Sequence, residues 1–231
     1  MKDLGRLITA MVTPFKDNGE VDFDRAKDFA IELVRTGSDG LLIGGTTGES
    51  PSMNEDEKLK LFKSVKDAVK NTANVIAGTT DNNTIASIDL SKKAEKLGVD
   101  AILLTVPAYN KPTQEGLYRH FKKISESVSI PGILYNVPSR TSLNMDAETT
   151  LKLANIDNIV GVKEASSDLD QITNIISKAP EDFKVWSGND NETFSIMSTG
   201  GYGVVSVASN IIGSQVKKLM SYIIEGKTHL A

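Results

Sequence analysis

Lys163 lies within the apolar stretch IVGVKEAS (159–166), where a basic residue is unexpected. Burying an unpaired ammonium is costly, so lysine is almost never fully buried without a partner. One interpretation is a lysine at the rim of the fold that reaches water. The other is a nucleophile, because an apolar pocket lowers the pKa of a lysine and a neutral amine forms Schiff bases with ketones. Gly161 is then expected to leave space near the amine.

Two further candidates precede Lys163 in the stretch LYNVPSRT (134–141). Tyr135 is predicted to end the strand beside that of Lys163. Its side chain either packs in the core with a tethered hydroxyl or shuttles protons during imine formation. Arg140 is either a solvated surface charge or a two-pronged donor for a substrate carboxylate.

The glycine-rich stretch GGTTGES (44–50) is suited to binding a small anion. Its glycines allow backbone N–H groups to converge, and Thr46 and Thr47 add hydroxyl donors. No lysine follows the glycines as in a P-loop, so a carboxylate fits better than a nucleotide. A purely structural interpretation is a tight turn into a helix, capped near Asn54 with Glu57 completing a capping box. Both interpretations can hold together.

Other polar residues carry weaker signals. Tyr109 lies in a loop held by two prolines, which is typical of a contact surface. His120 and His229 share no ligand spacing, so a metal site is not expected. The acidic stretch SGNDNE (187–192) is predicted to cap the helix that follows it.

Composition favours a cytoplasmic protein. The chain has 231 residues, a net charge of −4 and no cysteine. The lack of cysteine excludes disulfides and thiolate metal sites and fits a reducing compartment. The N-terminal residues lack the pattern of a signal peptide, and no run approaches the roughly 20 apolar residues of a membrane span. The slight acidity gives no reason to expect nucleic acid or a membrane as a partner.

Short apolar runs alternate with segments of helical period along the chain. The runs predicted as strands span 6–12, 40–44, 74–78, 100–106, 132–137, 158–163, 183–188 and 203–209. The helical segments include 22–36, 54–70, 83–97 and 114–127, with Gly37 and Gly98 as helix stops. Runs this apolar are typical of a parallel sheet covered on both faces.

Eight such strand–helix units predict an α/β fold, a (β/α)8 TIM barrel, as one catalytic domain over residues 1–231. An open doubly wound sheet is the alternative, but no dinucleotide fingerprint follows the first strand. A barrel would place the chemistry in the loops at the C-terminal ends of its strands.

The stretches GTTGES, PAYNKP, YNVPSRT and GVKEAS occur in an order and spacing that resembles the dihydrodipicolinate synthase family. That family belongs to the pyruvate-dependent Schiff-base lyase/synthase superfamily, and the resemblance covers nearly the whole chain. It implies a lyase that condenses pyruvate with aspartate β-semialdehyde through a lysine Schiff base. The product would be 4-hydroxy-tetrahydrodipicolinate, which leads to diaminopimelate and lysine. No metal or organic cofactor is implied.

The resemblance also assigns catalytic roles. Lys163 matches the Schiff-base lysine, and Tyr135 matches the tyrosine that handles protons. Thr46 matches a threonine near the pyruvate carboxylate, and Thr47 matches a threonine of the proton relay. Tyr109 matches a tyrosine that crosses a dimer interface to complete the relay of a neighbouring subunit.

Substrate-binding residues and assembly are implied in the same way. Arg140 matches the arginine that receives the carboxylate of the semialdehyde, while Gly188 and Val205 match residues that line the pyruvate pocket. The family is usually a tetramer built from tight dimers. The resemblance therefore implies a homo-oligomer, and this chain could form either a tetramer or a dimer.

Two features depart from the family pattern. Lysine-inhibited relatives carry a tyrosine before the relay tyrosine, and histidine and glutamate residues that help to bind the inhibitor. The matching positions hold Ala108, Glu55, Lys58 and Ala86, while Asn82 and Ser50 remain. We therefore predict weak or absent feedback by lysine. Family members also usually continue into a helical C-terminal domain, whereas this sequence stops in EGKTHLA, so we expect exposed apolar surface on the barrel.

Two other functions stay open on the sequence alone. N-acetylneuraminate lyase or another hydroxy-oxo-acid aldolase shares the lysine and the tyrosine, and Arg140 within PSRT favours the synthase. A non-catalytic barrel with a binding or assembly role is the alternative of another class, because function lies in the site and not in the fold. The presence of Lys163, Tyr135, Thr47 and Tyr109 argues against it.

Overall fold

The computed structural model describes residues 3–231 and contains a closed barrel of parallel strands in chain order. The strands are β1 (Leu7–Ala10), β2 (Gly40–Ile43), β3 (Asn74–Gly78), β4 (Ala101–Thr105), β5 (Gly132–Asn136), β6 (Ile159–Glu164), β7 (Lys184–Ser187) and β8 (Gly203–Ser206). Strand β8 pairs with β1, with Ile8 opposite Val205, and this pairing closes the sheet. The predicted (β/α)8 barrel is confirmed, and the open doubly wound sheet is excluded.

Helices follow the strands on the outside of the barrel. They are α1 (Phe23–Arg35), α2 (Glu55–Val69), α3 (Thr84–Lys96), α4 (Gln114–Ser125), α5 (Pro138–Thr141), α6 (Ala147–Leu153), α7 (Leu169–Lys178), α8 (Thr193–Ser198) and α9 (Ser209–Ile224). Within residues 3–231, no helix is both long enough and apolar enough to span a bilayer.

Local sequence signals account for the ends of several helices. The predicted capping box at α2 is confirmed: Asn54 Oδ1 accepts from the Glu57 backbone N–H at 3.0 Å, and Glu57 Oε2 accepts from the Asn54 backbone N–H at 2.9 Å. Gly37 and Gly98 follow α1 and α3 with φ of 118° and 80°. These left-handed conformations favour glycine and end each helix as predicted.

The interior of the barrel is a packed core. Leu42, Ile76, Leu103, Ile133 and Trp186 belong to one buried cluster and are each at most 2 % exposed. The indole Nε1 of Trp186 donates to the carbonyl of Gly5 at 3.0 Å, so its polar atom is satisfied inside the core. This packing confines access for a ligand to the ends of the strands.

Gly161 is required because the Lys184 carbonyl and the Trp186 ring approach it closely, and not, as expected, to leave open space near the amine. A Cβ at Gly161 would lie 2.1 Å from the carbonyl oxygen of Lys184 and 2.6 Å from Cζ3 of the Trp186 ring. Because a backbone atom cannot move aside, we expect Gly161→Ala to lower the free energy of unfolding by about 1–3 kcal/mol in urea titrations. Gly116→Ala, within α4, is the control: its Cβ would lie 3.2 Å from the Cβ of Pro112 and would meet no backbone atom, so it should lower stability less than Gly161→Ala.

Candidate active site

A cavity of about 580 Å³ opens at the C-terminal ends of the strands. It brings together six of the residues predicted from the sequence: Thr46, Thr47, Tyr135, Arg140, Lys163 and Gly188. The remaining lining residues are Val137, Ser139, Asn189, Asp190, Asn191 and Val207. Its position agrees with the general rule that barrel enzymes build their sites from the loops after the strands.

Lys163 ends in this cavity from strand β6 and is only 4 % exposed. Its partner in the β5–β6 register is Tyr135, and the Lys163 Nζ lies 4.2 Å from the centroid of the Tyr135 ring. Burial lowers the pKa of Lys163 to about 8, the negative charge of Asp190 opposes this shift, and the positive charge of Arg140 adds to it. A substantial share of the amine is therefore neutral, and hence nucleophilic, near that pH.

Tyr135 presents a neutral phenol to the same cavity. Burial raises its pKa above the usual value, and the nearby charge of Arg140 opposes that shift. A phenol that keeps its proton can both donate and accept a hydrogen bond. Next to an amine that must lose and regain protons, it can act as a proton shuttle.

Arg140 is placed at the cavity by the short helix α5. Pro138 starts this helix, where a missing backbone N–H costs nothing, and Ser142 ends it with φ of 58°. The Thr141 side chain donates back to the Val137 carbonyl at 3.2 Å and is buried. The helix thus holds the Arg140 guanidinium at the cavity, where it can bind a carboxylate through paired donors.

Thr46 and Thr47 lie in a tight loop after β2. The Glu49 N–H donates to the Thr46 carbonyl at 3.1 Å, and Glu49 has φ of 55°. Thr13, from the loop after β1, donates to the Gly48 carbonyl at 2.6 Å. These contacts fix the loop against the loop after β1, and both threonines line the cavity.

Two predicted residues lie outside the cavity lining. Val205 is 1 % exposed and packs in the core of the barrel, and Val207, two residues later, lines the cavity instead. Tyr109 is 92 % exposed with φ of 69°, an uncommon backbone conformation for a residue other than glycine. Its ring is therefore accessible to another molecule.

Asp190 is a site residue that sequence reasoning missed. The stretch SGNDNE was expected to cap the following helix, but no side chain caps α8. Asp190 instead accepts from the hydroxyl of Ser206 at 2.5 Å and from the backbone N–H of Val207 at 3.0 Å and Ala208 at 2.9 Å. It therefore anchors the loop after β8 and faces Lys163 with a negative charge. The available signal was an acidic residue shortly after β7, because β7 lies next to β6, the strand that carries Lys163.

Comparison with known proteins agrees with this geometry. Residues 3–231 match the model of the dihydrodipicolinate synthetase family. A protein of Dehalococcoides mccartyi named 4-hydroxy-tetrahydrodipicolinate synthase is 56 % identical over 228 residues, covering 99 % of this chain and 77 % of that protein.

Solved structures show the same likeness. Dihydrodipicolinate synthase of Bacillus anthracis is 45 % identical with a TM-score of 0.97, over 99 % of this chain and 78 % of that one. The Acinetobacter baumannii enzyme, solved in complex with pyruvate, is 36 % identical with a TM-score of 0.96, over 99 % and 79 % of the two chains. Sequence, fold and a buried lysine at the predicted place agree, and the chain belongs to the dihydrodipicolinate synthetase family.

Proposed function

We propose that this protein is a lyase that condenses pyruvate with aspartate β-semialdehyde to give 4-hydroxy-tetrahydrodipicolinate, a precursor of diaminopimelate and lysine. The observation that carries the proposal is the buried Lys163 amine with a lowered pKa, 4.2 Å from the Tyr135 ring in a cavity also lined by Arg140. Relatives at more than half identity bear the name 4-hydroxy-tetrahydrodipicolinate synthase, and a solved relative holds pyruvate.

The chemistry follows from an amine that is buried but not permanently charged. The neutral Lys163 nitrogen attacks the ketone carbon of pyruvate, and water leaves to give an imine. The imine withdraws electrons, so the methyl carbon loses a proton and becomes an enamine. The enamine carbon then attacks the aldehyde carbon of the semialdehyde, whose carboxylate binds Arg140. The amino group of the semialdehyde finally replaces the Lys163 nitrogen at the imine carbon, which closes the ring and frees the lysine. Tyr135 and Thr47 move the protons, and Gly188 lines the space for pyruvate.

The pH dependence of imine formation follows from the state of the amine. Below a pKa of about 8, Lys163 is mostly protonated and cannot attack. We expect the rate of imine formation to rise about tenfold per pH unit below that pKa and to level off above it. Stopped-flow measurement with pyruvate alone tests this, and a rate that is independent of pH between 6 and about 9 would contradict it.

Reduction with borohydride in the presence of pyruvate tests the function directly. Peptide mass mapping should find a pyruvyl adduct on Lys163, and a coupled assay should show turnover with aspartate β-semialdehyde. Turnover only with another aldehyde would favour the related aldolases, including N-acetylneuraminate lyase. A folded protein without an adduct would favour the non-catalytic alternative.

We infer that the site is completed by a second copy of the chain. The support is Tyr109, whose ring is exposed while its backbone is held in an unfavourable conformation. In a homo-oligomer, this hydroxyl can join the proton relay of Thr47 and Tyr135 in the partner subunit. A tetramer and a dimer both satisfy this requirement. The cytoplasmic location stays a prediction.

Lysine is expected to have little effect on the rate. Glu55 is engaged by Lys93, and Asn82 Oδ1 accepts from the Ala108 N–H at 3.0 Å. Ala108 supplies no hydroxyl, and Ala86 supplies no polar side chain, to a bound amino acid. Initial rates at millimolar lysine should equal those without it, whereas strong inhibition would show that a lysine site is present.

A further inference from the structure

The residues that follow Tyr135 and Lys163 form a second, outward-facing pair. Asn136 lies opposite Glu164 in the β5–β6 register, directly after the pair of Tyr135 and Lys163. Because side chains alternate along a strand, Asn136 and Glu164 face the helix layer and not the cavity. Both are 0 % exposed. Glu164 is thus a fully buried carboxyl group next to the nucleophile, and it takes no part in the chemistry above.

Glu164 accepts hydrogen bonds from three N–H donors. Its Oε1 accepts from Asn136 Nδ2 at 3.0 Å and from the Ser166 backbone N–H at 2.9 Å, and its Oε2 accepts from Gln171 Nε2 at 3.4 Å. A carboxylate accepts from all three donors, whereas an amide at this position would set its own NH2 group against one of them. Burial raises the pKa of Glu164 to about 7, and these hydrogen bonds oppose the shift.

The same contacts extend to the segment after α5, the helix that carries Arg140. Asn136 Nδ2 donates to Asn144 Oδ1 at 2.7 Å, and Asn144 Nδ2 donates to Gln171 Oε1 at 2.8 Å. We call Asn136, Asn144, Glu164 and Gln171 the outer cluster. It joins β5, β6, α7 and the segment after α5 directly behind the cavity.

We propose that Glu164 is a positioning residue, whose carboxylate holds Lys163 beside Tyr135 and steadies the segment directly after α5, the helix that carries Arg140. The inference rests on the proposed function, because it concerns the geometry of imine formation. Glu164 touches no substrate and acts only through the outer cluster. Misplacing a reacting group by about 1 Å costs roughly 100-fold in rate, so the register of the inner pair matters for catalysis.

The test uses Glu164→Gln, which keeps the shape of the side chain but turns one accepting oxygen into a donor. Assays are run at about pH 9, above the pKa of Lys163 of about 8 and of Glu164 of about 7, and below the unfolding temperature of every variant. We expect the rate of adduct formation at saturating pyruvate, and kcat, to fall roughly 10- to 100-fold. The KM for pyruvate should stay unchanged, because pyruvate still meets the same cavity.

A second substitution provides the rescue. In Glu164→Gln combined with Gln171→Glu, an accepting carboxylate faces the new amide donor, and the negative charge returns to the outer cluster. We expect this pair to regain part of the rate, because the new carboxylate also meets Asn144 Oδ1 and the Met145 carbonyl, to which Gln171 Nε2 donates at 3.3 Å in the unchanged protein. Gln171→Glu alone places two carboxylates against each other and should lower the rate.

Glu95→Gln is the matched control. Glu95 Oε1 accepts from the backbone N–H and the hydroxyl of Ser129, at 2.7 Å and 2.6 Å, in the loop that precedes β5 at the opposite end of the barrel. Glu95→Gln should lower stability without changing the rate of adduct formation. The proposal is overturned if Glu164→Gln also lowers stability without changing the rate of adduct formation. It is likewise overturned if adding Gln171→Glu restores none of the lost rate.

Two outcomes are interpreted separately. If Glu164→Gln does not fold, Asn144→Ala removes an exposed member of the outer cluster, and a wild-type rate in that variant overturns the proposal. If the wild-type protein itself forms no adduct, the proposed function fails, and this inference fails with it. A wild-type adduct together with full activity in Glu164→Gln refutes the positioning role alone.

Discussion

Lys163→Met should abolish the pyruvyl adduct and the condensation while making the protein more stable. The thioether cannot form an imine, and methionine fills a similar volume without a charge. The pKa of the buried lysine is lowered from 10.5 to about 8, which means that folding disfavours its charged form. A pKa that differs by one between the folded and unfolded states corresponds to about 1.4 kcal/mol, so the gain in stability is on the order of a few kcal/mol.

The size of this stability gain depends on the pH. The cost of burying the charged amine is fully present below the folded pKa of about 8 and disappears as the pH rises through the unfolded value of 10.5. Urea unfolding of both proteins at neutral and at strongly alkaline pH should therefore show a gain that shrinks with pH. Lys152→Met is the control, because Lys152 also lies over a tyrosine ring, 4.8 Å from Tyr118, but is exposed. An adduct that persists in Lys163→Met would disprove the assignment of the nucleophile.

Tyr135→Phe is expected to lower kcat by roughly 10²–10⁴-fold, the usual contribution of a group that transfers protons in the transition state. Phenylalanine keeps the ring beside the Lys163 ammonium and the packing of a residue that is 5 % exposed. The unfolding midpoint should therefore change little. Trapping with borohydride should still label Lys163, but more slowly, because the amine is present and its proton shuttle is not.

Tyr118→Phe separates this effect from a general loss of a tyrosine hydroxyl. Tyr118 lies on α4, packed against the core outside the barrel, and does not line the cavity. Steady-state rates of that variant should match those of the unchanged protein. A kcat of Tyr135→Phe within a few-fold of the parent value would assign the proton transfers to another group.

Much of the architecture was predictable because its signals are local. The run at 74–78 became β3 (Asn74–Gly78), and the segment at 83–97 contains α3 (Thr84–Lys96). Apolar runs, capping residues and helix-ending glycines each act within a few residues, so they can be recognised without knowledge of the fold. Once eight strands alternate with helices, the rule for barrels places the ends of the strands, and hence Lys163 and Tyr135, at one face.

The surroundings of these residues depend on contacts between distant parts of the chain. Gly161 faces the indole of Trp186 and not open space, and Asp190 binds the loop after β8 and not its own helix. Glu164 meets Asn136 across 28 residues of sequence. Local patterns carry no information about such pairs, because the register of neighbouring strands decides which side chains meet.

The sequence by itself determined the order of the elements and the candidate for the reactive amine. Only the tertiary structure decided that this amine is buried beside a phenol, that an acid from the segment after the next strand faces it, and that a second carboxylate lies behind it. The physical reason is that a pKa and a hydrogen-bond network depend on the solvent and charges within a few ångströms in space, and closure of the barrel sets those distances.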